Sequence, residues 1–153
     1  MKNRIIVEII ASLFILLFVY TAINKIYDFT NFKATLEKSP LIGTVSTELA
    51  IAIPLVEILI ATLLFIPRTR LLGLNSFLFL MVLFTLYISY MVVFTPKLPC
   101  HCGGAIKELT WKQHILFNLF FIGLALTSLL INNKTAKAIS IKNPHQLKKG
   151  LSI

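Results

Sequence analysis

Four long apolar runs, separated by short polar connections, decide most of what this chain can become. They fall at about residues 5–23, 44–66, 71–94 and 111–131. Each is near the ~20 residues that a helix needs to cross a ~30 Å hydrocarbon core. No water reaches the backbone there, so each run must satisfy its own N–H and C=O groups, and a helix does so. The expected fold is therefore all-α: a four-helix transmembrane bundle over residues 1–131, with a lipid bilayer as its first partner and a basic tail over 132–153. Composition agrees, with 57% of residues hydrophobic and 14% charged, against about 25% charged in soluble domains. A chain of 153 residues has no room beside these runs for a second soluble domain.

The net charge of +9 raises nucleic acid as a partner, and the placement of the charge argues against it. Lys and Arg sit between and beside the apolar runs, where snorkelling and the positive-inside bias put them. No basic stripe with interleaved aromatics lies outside the runs, so no nucleic-acid partner is expected. Met1-Lys2-Asn3-Arg4 followed by an apolar run has the look of a signal peptide. The run to Ile23 exceeds the ~7–15 residues of an h-region, and no small-x-small site follows cleanly, so it reads as an uncleaved span.

The first run carries Glu8 near its start. The second contains Glu48, Pro54 and Glu57 and ends at Pro67, before the Arg68-Thr69-Arg70 turn. The third is closed by Thr95-Pro96, and the fourth gives way to Asn132-Asn133-Lys134. Between the first two runs, Phe29, Phe32 and Leu36 among charged residues predict a short interfacial helix, stopped by Ser39-Pro40. Four spans put both termini and the 68–70 turn on one side, with nine Lys and Arg against six on the other. That bias predicts cytoplasmic termini. The tail is expected to lie loosely beside anionic lipid.

Pro99-Cys100-His101-Cys102-Gly103-Gly104 contains the only two cysteines of the chain. On the expected topology it faces outward, where a thiol pair can stay oxidised. A disulfide between Cys100 and Cys102 would close a very small ring, whose strain makes it easier to reduce. Such a ring encloses too little chain to stabilise much, so an exchangeable bond is the better use. Thr110 and Gln113 have capping-box spacing, which starts the fourth helix just beyond. Its positive end, with Lys97 and Lys107, would favour a thiolate. Two alternatives stay open: incidental cysteines, and a Cu(I) site on Cys100 and Cys102 with His101 or His114. Structural zinc fits poorly, since it normally has two to four residues between cysteines.

Other polar residues gather toward the same side. Tyr20 and Lys25 end the first run, Glu48 opens the second, and Tyr87 and Tyr90 lie late in the third. The tyrosines and Trp111 suit an interface belt, and Lys25 suits a snorkelling anchor. Trp111, His114 and Asn118 share one helix face. His114 could carry a proton in thiol exchange or to a bound quinone, while a plain interhelix polar contact explains it and Asn118 equally well. Glu57, deep in its run, is a functional candidate, or else a protonated contact to Asn75 or Asn118.

Asn24-Lys25-Ile26-Tyr27-Asp28-Phe29 and Pro54-Leu55-Val56-Glu57, set in four spans, resemble the DoxX-like membrane proteins. Pro99 to Gly104, followed by Leu109-Thr110-Trp111 and His114-Ile115-Leu116-Phe117-Asn118, resembles the methylamine-utilisation MauE branch of that group. The likeness spans most of residues 5–131, and its Cys-x-Cys-Gly to Trp-x-x-His-x-x-x-Asn segment is the specific part. The resemblance implies a redox-associated protein of the bacterial inner membrane that works with a periplasmic thioredoxin-fold partner, Cys100 and Cys102 being the exchanging pair. Better-known four-helix disulfide generators carry a second cysteine pair as a relay, and this chain has none. A quinone, if it is the electron sink, would take electrons directly from the single pair. A non-catalytic scaffold for a redox or maturation protein is the alternative of a different class.

Overall fold

The computed structural model describes residues 2–94 and 111–142, with side chains over 5–94 and 113–132. It is all-helical. Helices α1 (Lys2–Tyr27), α3 (Ser46–Phe65), α4 (Arg70–Phe94) and α5 (Trp111–Lys142) are the long ones, and α2 (Phe29–Glu37) with a single 3-10 turn (Gly43–Val45) lies between α1 and α3. Four stretches are long and apolar enough to span a bilayer: Ile5–Tyr27, Gly43–Phe65, Arg70–Phe94 and Gln113–Asn132. The protein is a multi-pass membrane protein. Each bound lies within a few residues of the expected runs, because span length is set by the bilayer and not by tertiary contacts.

The long helices stand in a ring in the order α1, α3, α4, α5, with α5 closing back on α1. Among the described residues, α3 and α5 sit on opposite corners, with no Cα atoms within 8 Å of each other. Buried positions on α1 recur as Val7, Ile10, Ala11, Phe14, Phe18, Thr21, Ala22 and Lys25, the three-and-four spacing of one helix face. The opposite faces are equally apolar. Leu16, Phe65 and Phe79 are exposed at 68%, 74% and 70%, which water would penalise and lipid does not.

An aromatic layer fills the middle of the bundle. Phe14 stacks on Phe77 with centroids 3.9 Å apart, Phe18 leans on Phe77 at 4.5 Å, and Phe121 approaches Phe14 at 6.0 Å. Helix α2 is half amphipathic: it buries Phe32 and Leu36 against Ala50, with Ile42, Leu49 and Ile53 around them. It stops where Ser39 and Pro40 follow, and the buried Ser39 hydroxyl reaches Met91 Sδ in the last turn of α4 at 3.7 Å. This pins α2 over the end of the bundle at which α1 and α4 finish.

The α3–α4 turn satisfies carbonyls that the end of α3 leaves open. Thr69 donates its hydroxyl to the Leu63 carbonyl at 2.9 Å, and Arg70 Nε donates to the Leu64 carbonyl at 3.5 Å. The helices then meet so closely at Gly73 that an added Cβ would stand 2.9 Å from the Leu64 nitrogen and 3.0 Å from the Leu63 carbonyl carbon. Those are backbone atoms and cannot swing aside. Gly73→Ala should therefore cost ~1–3 kcal/mol of bundle stability, read as a fall in the thermal midpoint of the detergent-solubilised protein. Gly123, where nothing lies within 4 Å, is the control, and its Ala variant should melt like the parent.

One expectation needs correction. The chain does leave the apolar stretch at Asn132, but α5 continues as helix through Lys142. Residues 133–142 contain neither Gly nor Pro, and Pro144 is the first breaker. The first part of the tail is thus a helical extension and not a loose segment. At 32 residues, α5 is ~48 Å long and overreaches a ~30 Å core.

Candidate functional site

The Cys100-His101-Cys102 loop lies outside the described residues, as do Lys97, Lys107 and Thr110, and the Trp111 side chain is likewise not described. The loop joins α4 to α5, six residues beyond Phe94 in sequence. The described site is what the bundle places at that same end.

Its centre is an ion pair. Lys25 Nζ on α1 donates to Glu57 Oε1 on α3 at 2.6 Å, with side-chain exposures of only 4% and 7%. The sequence suggested that Lys25 snorkels; the structure turns it inward. The reason is Glu57: a carboxylate deep in a span needs a counterion, and α1 packs along α3. Asn75, one of the partners considered for Glu57, is exposed on α4.

The rings of Phe32 and Phe84 and the hydroxyl of Thr21 border the pair. The Lys25 ammonium lies 5.8 Å from the Phe32 ring centroid and 5.9 Å from that of Phe84, within cation–π range. Phe84 in turn meets the His114 ring at 6.4 Å. Thr21, one turn before Lys25, stands beside the Glu57 carboxylate and donates its hydroxyl to the Phe18 carbonyl at 3.1 Å. Asn118 follows His114 by one turn of α5, and both are buried. All four long helices therefore contribute: Lys25 from α1, Glu57 from α3, Phe84 from α4, and His114 with Asn118 from α5.

Of the residues singled out from sequence, Glu57, His114 and Asn118 face the bundle interior. Glu48 is exposed at the start of α3, because the inward positions of that turn are taken by Ser46 and Ala50. Tyr20 is half exposed, and Tyr90 stacks on Phe94 at 4.8 Å near the end of α4, as belt aromatics do. Sequence reasoning missed Thr21 and Phe84 as members of the cluster. The four-residue step from Thr21 to Lys25 was a usable signal; nothing local distinguishes Phe84 from the other eleven phenylalanines.

Among the described residues, no group of three or more His, Cys, Asp or Glu could hold a metal ion. The Cu(I) alternative on Cys100, Cys102 and His101 falls on residues outside them.

The model of the family described as methylamine utilisation protein MauE matches residues 3–131. The chain belongs to the MauE family. No curated protein and no solved structure matches it. The MauE match runs from the start of α1 to the end of the α5 span, so it takes in the whole buried cluster and the cysteine loop. In this MauE-family protein Lys25, Glu57 and His114 are buried in the described bundle, and the sequence between α4 and α5 contains the only two cysteines.

Proposed function

We propose that this MauE-family protein exchanges a disulfide, formed between Cys100 and Cys102, with the dithiol or disulfide of a thioredoxin-fold partner on the outer face of a bacterial inner membrane. In the exchange a thiolate of one protein attacks the disulfide of the other, a mixed disulfide forms, and the second thiol of the attacking pair resolves it. Two electrons and two protons pass from one cysteine pair to the other. His114 acts as the proton carrier, a task suited to an imidazole. The partner belongs to methylamine utilisation, the process for which the family is described.

One observation supports this reading above the others. A buried Lys-Glu pair lies with a buried histidine, in the first turn of the helix that follows the two cysteines in sequence. Buried ionisable groups within a span are costly and mark functional positions.

The test is a trap. Cys102→Ser, expressed in cells that use methylamine, should hold the partner through Cys100 as an adduct that disappears on reduction, or Cys100→Ser should hold it through Cys102. Identification of a thioredoxin-fold protein in the adduct supports the reading. If neither single variant traps anything and the double Cys→Ser protein still supports growth on methylamine, exchange is excluded and the scaffold reading takes its place.

A further inference from the structure

Hydroxyls on the lipid-facing surface satisfy themselves within their own helices. Ser12, Thr62 and Thr127 each donate to the carbonyl one turn back, at 2.9, 2.9 and 2.8 Å. The buried Thr85 of α4 does the same to Met81 at 2.7 Å. Asn75 does not. It is exposed on α4, more than one turn inside the stretch Arg70–Phe94, and its amide makes no hydrogen bond among the described residues. Arg70, the cation that precedes it, is occupied by the Leu64 carbonyl and by Glu8 at 3.6 Å. An amide has donors and an acceptor to place, and lipid offers a partner for neither.

The surface around Asn75 suits one kind of partner. Leu72, Asn75, Phe79, Val82, Leu86 and Val93 are all exposed. They follow one another at steps of three, four, three, four and seven, the a/d spacing of a seam between packed helices. Leu74, Phe77, Met81 and Ile88 are buried on the other side of α4, so packing within the bundle leaves this seam open, and in a lone bundle it meets lipid. A bilayer holds every copy of the chain in one orientation, so a symmetric pair has its twofold axis along the membrane normal. Helices beside that axis run parallel, and each seam residue meets its own counterpart. An amide gains most from such a meeting, since one copy donates to the carbonyl oxygen of the other. A single asparagine in a seam also fixes register and the number of helices. We propose that α4 packs in parallel against α4 of a second copy along this seam, with the two Asn75 amides hydrogen-bonded across the axis. The pairing is independent of thiol exchange.

The experiment uses the full chain with Cys100 and Cys102 both replaced by Ser, so that no disulfide between loops imitates the contact. Sedimentation equilibrium in density-matched detergent should show monomer and dimer in exchange. Asn75→Leu keeps the size of the side chain and removes its hydrogen bonds, so it should weaken the dimer about tenfold without lowering the thermal midpoint of the monomer. Val82→Cys, added to the same background, should cross-link two copies in native membranes on mild oxidation. Leu130→Cys, on the exposed face of α5, should not. A chain that is monomeric at every protein-to-detergent ratio, or that gives no cross-link at Val82→Cys, overturns the proposal. So does an unchanged equilibrium in Asn75→Leu; the face then meets lipid or a protein of another kind. Should Asn75→Leu fail to fold, equal cross-linking at Val82→Cys and Leu130→Cys overturns the seam by itself.

Discussion

Lys25→Met is expected to lower the stability of the bundle by ~3–5 kcal/mol, because it leaves the Glu57 carboxylate buried without its counterion. Methionine keeps the length and apolar stem of lysine, so the loss belongs to the charge and not to a cavity. Unfolding in mixed detergent micelles, followed by far-UV circular dichroism, reads the change. Lys25→Met combined with Glu57→Leu should recover most of it, since a buried ion pair repays its desolvation only partly and apolar replacements of similar size are often neutral or stabilising. A single variant within ~0.5 kcal/mol of the parent would show that the pair is not what holds α1 to α3. Full recovery in the double variant would show that the bundle folds without the pair. Its presence would then be explained by what the charges do and not by what they add to stability.

The second large effect is at the aromatic layer. Phe77 is fully buried, stacked on Phe14 at 3.9 Å and touching Phe18. Phe77→Ala should cost ~3–5 kcal/mol, the transfer term plus the cavity that a rigid layer cannot close. Phe79 lies two residues further along the same helix and is 70% exposed. Its side chain meets lipid, which follows the surface it is given, so Phe79→Ala should stay within ~1 kcal/mol of the parent. The two variants compared in one micelle titration check the helix orientation directly. Similar costs at both positions would mean that α4 is rotated from the arrangement described.

Much of the architecture is legible in the order of the residues. The four spans, the short helix before Ser39-Pro40 and the turn at Arg68-Thr69-Arg70 follow from run length and breakers, which are local properties. His114 and Asn118 are legible as a pair because one turn of a helix fixes their relation. Glu57 is legible as out of place, since a carboxylate inside a span demands an explanation. Which group answers it is not. Lys25 near the end of a span has two equally local fates, extending to the interface or turning inward, and only the packing of α1 on α3 chooses between them. The inclusion of Phe84, and the exclusion of Glu48, depend in the same way on helix rotation, which a chain apolar on all faces does not encode in its periodicity.

The sequence by itself determined that this chain crosses a membrane four times as helices, carries its only thiols in the connection between the last two, and belongs with the MauE proteins. The tertiary structure alone decided that Lys25 meets Glu57 and that residues from four helices converge around them. Crossing a bilayer is a property of each segment separately, governed by its length and hydropathy. The meeting of side chains from separate segments depends on how the helices rotate and pack, and in lipid that is set by close contacts such as Gly73 against Leu64 and Phe14 against Phe77.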